Sequence, residues 1–196
     1  MMDIDELLDF MGPRAGHFRL ESGHHGELWL DLDRLFVHPG AVGRFVAELA
    51  RRLVGHGIEV VCGPSSGGAF LAQMVAFELE AEFYHAERFV SLPDRVRYRI
   101  PDGLRAGVRG KRVAVVDDVV NAGAAVRATM TDLRACGARP AAVGALLALG
   151  TSGPAFGLPF TYLARLQSHL WVPADCPLCA AGVRLESMCE PHGATA

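Results

Sequence analysis

The run Val113-Ala114-Val115-Val116-Asp117-Asp118-Val119-Val120-Asn121-Ala122-Gly123-Ala124-Ala125-Val126 constrains this chain more than any other stretch. It opens on small and β-branched apolar residues, the pattern of a strand buried on both faces. Two adjacent carboxylates follow, then a small-residue turn, then Val126, Met130 and Leu133 at helical spacing. A buried strand feeding straight into a helix is the unit of an open α/β sheet, whose ligands sit outside the carboxyl ends of the strands. Helix N-termini at that edge bind anions. Paired acids beside a phosphate-sized nest imply a ligand with both hydroxyls and phosphate, such as a phosphorylated sugar.

The rest of the chain repeats the alternation. Ile4, Leu7, Leu8 and Met11 predict a short amphipathic helix after Asp3, stopped by Gly12-Pro13. Residues 18–20 and 28–32 read as short strands around a Ser22-Gly23-His24-His25-Gly26 turn. Val42, Phe45, Val46, Leu49 and Leu53 predict a helix after Pro39-Gly40. A strand at 58–62, a glycine-rich turn at 63–68 and a helix at 69–79 follow. A short strand is expected at 82–84, a helix after the opening motif as far as Gly137, and a strand at 141–147. This pattern predicts one α/β domain over 1–196: an open, mostly parallel twisted sheet flanked by helices, with a small hood. Residues 1–40 form the hood and N-terminal helix, 41–153 the core, and 154–196 the last strands and a cysteine-containing tail. The first forty residues and everything after Pro154 read as a cap against the sheet's ligand edge.

Composition excludes several function classes. Hydrophobic residues make up 51% and charged residues 21%, as in ordinary globular proteins. The net charge of −3 offers no footprint for nucleic acid or an anionic membrane. No apolar run approaches the roughly 20 residues that span a bilayer. The acidic opening, residues 1–6, reads as neither a signal nor a transit peptide. Five cysteines form no even framework of disulfides, so a reducing cytoplasm is the expected setting.

The opening motif resembles the phosphoribosyl pyrophosphate (PRPP) signature of type I phosphoribosyltransferases. Gly16-His17-Phe18-Arg19-Leu20, Ser22-Gly23-His24-His25 and Trp29-Leu30-Asp31 resemble the hood of the orotate branch. Gly63-Pro64-Ser65-Ser66-Gly67-Gly68 stands where the family has its pyrophosphate loop. Phe83-Tyr84-His85-Ala86-Glu87-Arg88 resembles the strand that follows, and Cys176-Pro177-Leu178-Cys179 the tail of several bacterial and archaeal members. The resemblance implies the type I phosphoribosyltransferase fold and transfer of phosphoribosyl from PRPP to orotate. The implied products are orotidine 5-phosphate and pyrophosphate, with Mg²⁺ carried by PRPP and held by no protein side chain. It also implies a homodimer whose lid loop reaches the neighbouring subunit. Transfer to another base, or a non-catalytic PRPP- or nucleotide-sensing role on the same fold, are the alternatives.

Residue types give these roles a physical basis. Asp117 and Asp118 accept charge-assisted hydrogen bonds from ribose hydroxyls. Backbone N–H groups of Asn121, Ala122, Gly123, Ala124 and Ala125 would cradle the 5-phosphate, because small side chains let an oxyanion approach the main chain. Ser65, Ser66, Gly67 and Gly68 read either as the pyrophosphate loop or as a tight strand–helix connection. Residues 88–110 are rich in arginine and read either as a mobile lid over pyrophosphate or as a solvated loop. Lys111, at its far end, is the chain's only lysine, whereas many members carry lysines in this loop. Arg88 matches the family's pyrophosphate-contacting arginine, with Arg97 and Arg99 as further candidates. Phe18, His24, His25 and Trp29 are base-binding candidates, although Phe18 and Trp29 read equally as hood packing. His24 and His25 do not form a metal pair, since adjacent strand residues point to opposite faces. Cys176, Cys179, Cys189 and His192 have the ligand types and inner spacing of a small zinc knuckle, or are a tail of reduced thiols.

Overall fold

A computed structural model describes residues 4–20, 23–92, 95–150 and 156–187. In chain order the elements begin with α1 (Ile4–Met11), β1 (Arg14–Arg19), β2 (His25–Trp29) and α2 (Pro39–Leu53). Next come β3 (Val60–Pro64), α3 (Gly67–Glu78), β4 (Glu82–Leu92) and β5 (Arg95–Arg99). Then follow β6 (Arg112–Val120), α4 (Ala124–Ala135), β7 (Arg139–Leu149) and β8 (Phe160–Leu166). Short pieces close the chain: β9 (Leu170–Trp171), α5 (Pro177–Ala180) and β10 (Glu186–Ser187).

The main sheet has the strand order β5-β4-β3-β6-β7-β8, parallel except for β5. Its central strands are apolar where helices cover both faces, over residues 60–62 of β3 and 113–116 of β6. Val60 and Val61 on β3 and Val113 to Val116 on β6 are all fully buried. On one face Ala114 and Val116 pack with Leu49 and Leu53 of α2, Leu71 and Val75 of α3, and Leu7 and Met11 of α1. On the other, Val113 and Val115 pack with Val126, Met130 and Leu133 of α4. Each valine, leucine or methionine among them contributes about 1.5–3 kcal/mol by leaving water. A second, smaller sheet, β10-β1-β2-β9, is the hood. It brings N-terminal and C-terminal segments together.

The direction of the crossovers positions the site. From β3 the chain crosses through α3 to β4 on one side, and from β6 it crosses through α4 to β7 on the other. Adjacent strands whose connections leave in opposite directions open a crevice at their carboxyl ends, the usual ligand position in such sheets. Between β3 and β6 the pairing ends at Cys62 with Val115, while β6 continues alongside β7 to Val120. Asp117 and Asp118 stand in that gap.

Several expectations change. β8 belongs to the main sheet, paired in parallel with β7, so only the shorter β9, α5 and β10 join the hood. The Phe160 to Leu166 run opens on the β-favouring Phe160, Thr161 and Tyr162, but its parallel pairing to a distant partner leaves no local mark. β4 runs on to Leu92 and pairs antiparallel with β5, so the early part of the arginine-rich stretch is a hairpin. Its later part is anchored. Ile100 and Val108 are fully buried, and Asp132 on α4 accepts hydrogen bonds from the Ile100 N–H at 2.8 Å and from Arg105 at 2.9 Å. β2 starts at His25, inside the expected turn, and ends at Trp29, before a 3-10 turn over Leu32–Arg34.

Candidate active site

Asp117 and Asp118 occupy the last third of β6, where alternation sends them to opposite faces. Asp118 lies on the α3 face, and its Oδ2 touches the α3 N-terminus so closely that a Cβ on Gly67 would overlap it. Asp117 Oδ1 lies 2.6 Å from where a Cβ on Gly68 would sit. Gly67 and Gly68 are therefore there for backbone approach. They bring the N-terminus of α3 against both acids. The Ser65–Ser66 peptide is cis, and Ser65 donates its N–H to the Ala86 carbonyl at 2.8 Å.

Both carboxyls are pushed above their ordinary range. Burial is the main cause for each, and for Asp117 the neighbouring Asp118 charge adds to it. The Val119 N–H, 2.8 Å from Asp118 Oδ1, works against the shift. Desolvated acids of this kind gain most when a hydroxyl donor or a positive charge arrives beside them.

One residue beyond β6, the chain turns through Asn121 and Ala122. Gly123 has φ 73°, a left-handed conformation that costs a Cβ-bearing residue energy, and it begins α4. The first turn of α4 holds no acidic side chain and no side-chain cap, so its N–H groups face the sheet edge unneutralised. α3 likewise starts at Ser66 without a side-chain cap or an acid. The N-termini of α3 and α4 thus flank the acid pair, one on each face of the sheet, α3 against the carboxyls themselves and α4 uncapped.

Strand register divides the arginine candidates. Cys62 pairs with both Tyr84 on β4 and Val115 on β6, so Ala86 lies level with Asp117 and Arg88 one pleat beyond. Tyr84 and Ala86 share the buried α4 face, and Arg88 follows them by alternation. Arg97 pairs opposite Phe89, and Arg99 opposite Glu87, which places both on the other face of the hairpin from Arg88. Arg99 also forms a 2.8 Å ion pair with Asp102. Of the three, Arg88 shares a face with Asp117, and the hairpin separates it from Arg97 and Arg99.

The base candidates also divide. Phe18 is fully buried, with its ring folded over Gly16 and 6.2 Å from the Trp29 ring, so it is a hood core residue and offers no face for stacking. Trp29 is half-buried at the end of β2, and His24 precedes that strand. His25 is turned inward: its Nδ1 lies 3.2 Å from His17 Nε2 and 3.3 Å from Cys179 Sγ. That ring belongs to a buried hood cluster, because pairing of β1 with β2 sends His17 and His25 to the same side. His17 was not singled out in the sequence, since its partner is set by strand pairing. Cys176 and Cys179 join the same cluster, whereas Cys189 and His192 lie outside the described residues. Among the described residues, no helix is long and apolar enough to cross a membrane.

No family model matches the chain. It is 33% identical over 185 residues to an orotate phosphoribosyltransferase of Caldanaerobacter subterraneus, covering 94% of this chain and 93% of that one. An orotate phosphoribosyltransferase of Thermotoga maritima is 35% identical over 187 residues, covering 93% and 95%. Among solved structures, an orotate phosphoribosyltransferase from Aeropyrum pernix matches with TM-score 0.65 at 20% identity, over 84% of this chain and 94% of that one. An adenine phosphoribosyltransferase from Thermoanaerobacter pseudethanolicus matches with TM-score 0.66 at 15% identity, over 84% and 100%. At those identities the structural likeness speaks for the fold, which orotate and adenine enzymes share.

Proposed function

The chain belongs to the orotate phosphoribosyltransferase family, and from that premise we propose that it transfers phosphoribosyl from PRPP to orotate, releasing pyrophosphate. The observation that carries this reading is the acid pair at the β3/β6 crevice, held against the N-terminus of α3, with the uncapped N-terminus of α4 on the opposite face. In this assignment the α4 turn, residues 121–125, holds the 5-phosphate through backbone N–H groups. The α3 turn, Ser65 to Gly68, faces pyrophosphate, and Arg88 adds positive charge from the same face as Asp117. Asp117 and Asp118 accept the ribose hydroxyls.

The chemistry is dissociative. As the bond from the anomeric carbon to pyrophosphate lengthens, positive charge grows on the sugar ring. The buried Asp118 and the half-buried Asp117 stabilise it in a low-dielectric crevice without reorganising. A ring nitrogen of orotate then bonds to the same carbon and gives up its proton to the departing pyrophosphate. The protein's share is positioning and electrostatics, with no covalent nucleophile. Magnesium, a hard ion that suits phosphate and hydroxyl oxygens, would enter this oxygen-rich edge with PRPP and would supply neutralisation of the departing pyrophosphate's charge. Trp29 and His24, on the hood, are the remaining base-side candidates. A homodimer in which the β4–β5 hairpin reaches the partner's crevice completes the reading, and a cytoplasmic setting suits the free thiols of Cys62 and Cys136.

A base panel tests this. With PRPP and Mg²⁺, pyrophosphate release is expected with orotate and at least tenfold less with uracil, hypoxanthine, guanine or adenine. Release with a purine but not orotate would replace the orotate assignment by a purine one. PRPP binding without turnover on any base would favour a sensing role, for which the loop's lack of lysines is the motivating observation.

A further inference from the structure

We propose that His17, His25, Cys176 and Cys179 form a zinc site that locks the hood together. The four offer His17 Nε2, His25 Nδ1 and two Sγ atoms, all within 4.8 Å of one another. His17 Nε2 lies 3.2 Å from His25 Nδ1, 3.4 Å from Cys176 Sγ and 3.7 Å from Cys179 Sγ. Cys179 Sγ lies 3.3 Å from His25 Nδ1.

These separations match the edges of a tetrahedron around one ion. Zn–N bonds of about 2.05 Å and Zn–S bonds of about 2.3 Å place nitrogen pairs about 3.3 Å apart and nitrogen–sulfur pairs about 3.6 Å apart. Two thiolates with two imidazoles in tetrahedral array are a donor set that selects zinc over magnesium or calcium. Four protein ligands leave no position for water or substrate, which marks the site as structural.

The surroundings support a ligating role. His17 Nδ1 lies 2.9 Å from the Val183 carbonyl. A proton held there leaves Nε2 as a lone pair directed at the cluster, the arrangement of a metal-bound histidine with its outer hydrogen bond. His17, His25 and Cys176 are buried, and Cys179 is exposed, so the site sits just beneath the surface with a path for entry. The ligands come from three places: β1, β2, and the segment from Cys176 into α5. His17 and Cys176 are 159 positions apart. β9 and β10 are two-residue strands, and α5 has four residues. Elements so short hold little by themselves. A metal bond to each side supplies the connection that their own pairing does not, as in other small metal-stabilised units.

The ligand set differs from the one that spacing alone suggested. The CxxC pair closes with two hood histidines, and Cys189 and His192 are not needed for four-coordination. The proposal stands independently of the transferase reading.

The test is metal content by inductively coupled plasma mass spectrometry on full-length protein purified without added zinc. One zinc per chain is expected. Cys179→Ser, at the exposed corner, and His25→Ala should each fall to background, with the far-ultraviolet circular dichroism of the main sheet retained. Cys136→Ser and the double change Cys189→Ser/His192→Ala should each keep one zinc. Should a variant fail to fold, Co²⁺ exchange into the wild type gives the same answer: intense tetrahedral d–d bands with a thiolate charge-transfer band are expected. A folded, reduced wild type that takes up neither ion would overturn the site. So would Cys176 and Cys179 recovered as a disulfide in metal-free protein. Loss of zinc in the 189/192 double variant with retention in His25→Ala would overturn the ligand set.

Discussion

At the carboxyl edge of the main sheet, the functional groups come from one continuous run, residues 113–126, with the 63–68 turn laid against it. In the hood, a second cluster is gathered from positions 17, 25, 176 and 179. The edge is made by local structure: a strand ends, a helix begins, and the acids and N–H groups between them must converge. The hood cluster exists only because β1 pairs with β2 and the tail returns to both. The edge sits on buried parallel strands, the hood on strands of two to six residues. Chemistry placed on the rigid part needs no added fastening; the small part does.

The largest effect should come from the acids. Asp117→Asn combined with Asp118→Asn should lower orotate-dependent pyrophosphate release by about 10²–10³-fold or more, the scale for removing a preorganised electrostatic contact. Thermal stability should rise in the same variant, because two desolvated carboxylates are removed. Activity within tenfold of wild type would mean that the chemistry lies elsewhere.

Next is Gly67→Ala, whose Cβ would overlap Asp118 Oδ2. Moving the acid or the α3 N-terminus by about 1 Å should cost roughly 10²-fold in kcat/KM. Wild-type kinetics there would show that the close approach serves packing alone.

A third comparison separates the two regions directly. Chelation with 1,10-phenanthroline should raise amide hydrogen exchange in β1, β2 and the 170–187 segment while β6 and β7 keep their protection. Equal loosening of both sheets would deny that the hood depends on its own fastening.

Asp132→Ala removes the acceptor shared by Arg105 and the Ile100 N–H. It should cost about 1–3 kcal/mol of stability, read from urea denaturation. It should also free residues 100–110 to protease, which an unanchored loop would already allow.

The smallest effect is a pH dependence. A carboxyl whose folded pKa is raised contributes stability that is complete below the ordinary carboxylate range and is lost as pH rises through the raised value. The Tm advantage of Asp118→Asn should therefore be widest at neutral pH and close as pH falls toward about 4. An advantage independent of pH would remove burial of the charged form as its cause.

How much of this was legible in the sequence follows the same division. Val113 to Val126 carried its strand, turn and helix in order, because each depends on neighbours within a few positions. The same holds for α2, which begins at Pro39 and ends at Leu53 as its apolar spacing indicates. β8 was hidden, since its place beside β7 rests on pairing between distant segments. Arg97 and Arg99 stand as further candidates beside Arg88 in the sequence, and only the hairpin register puts them on the opposite face. Phe18 looked available for stacking until Gly16 and Trp29 closed over it. Alternation, read within one segment, sets His24 and His25 apart, and the same rule applied across two strands brings His25 to His17.

The central claim is that the sheet's carboxyl edge is a phosphoribosyl site, and isothermal titration of PRPP with Mg²⁺ tests it most directly. Wild-type protein should bind one PRPP per crevice, and the Asp117→Asn/Asp118→Asn variant, folded and at least as stable, should bind about 10²-fold more weakly. Equal affinity in the two proteins would contradict the account.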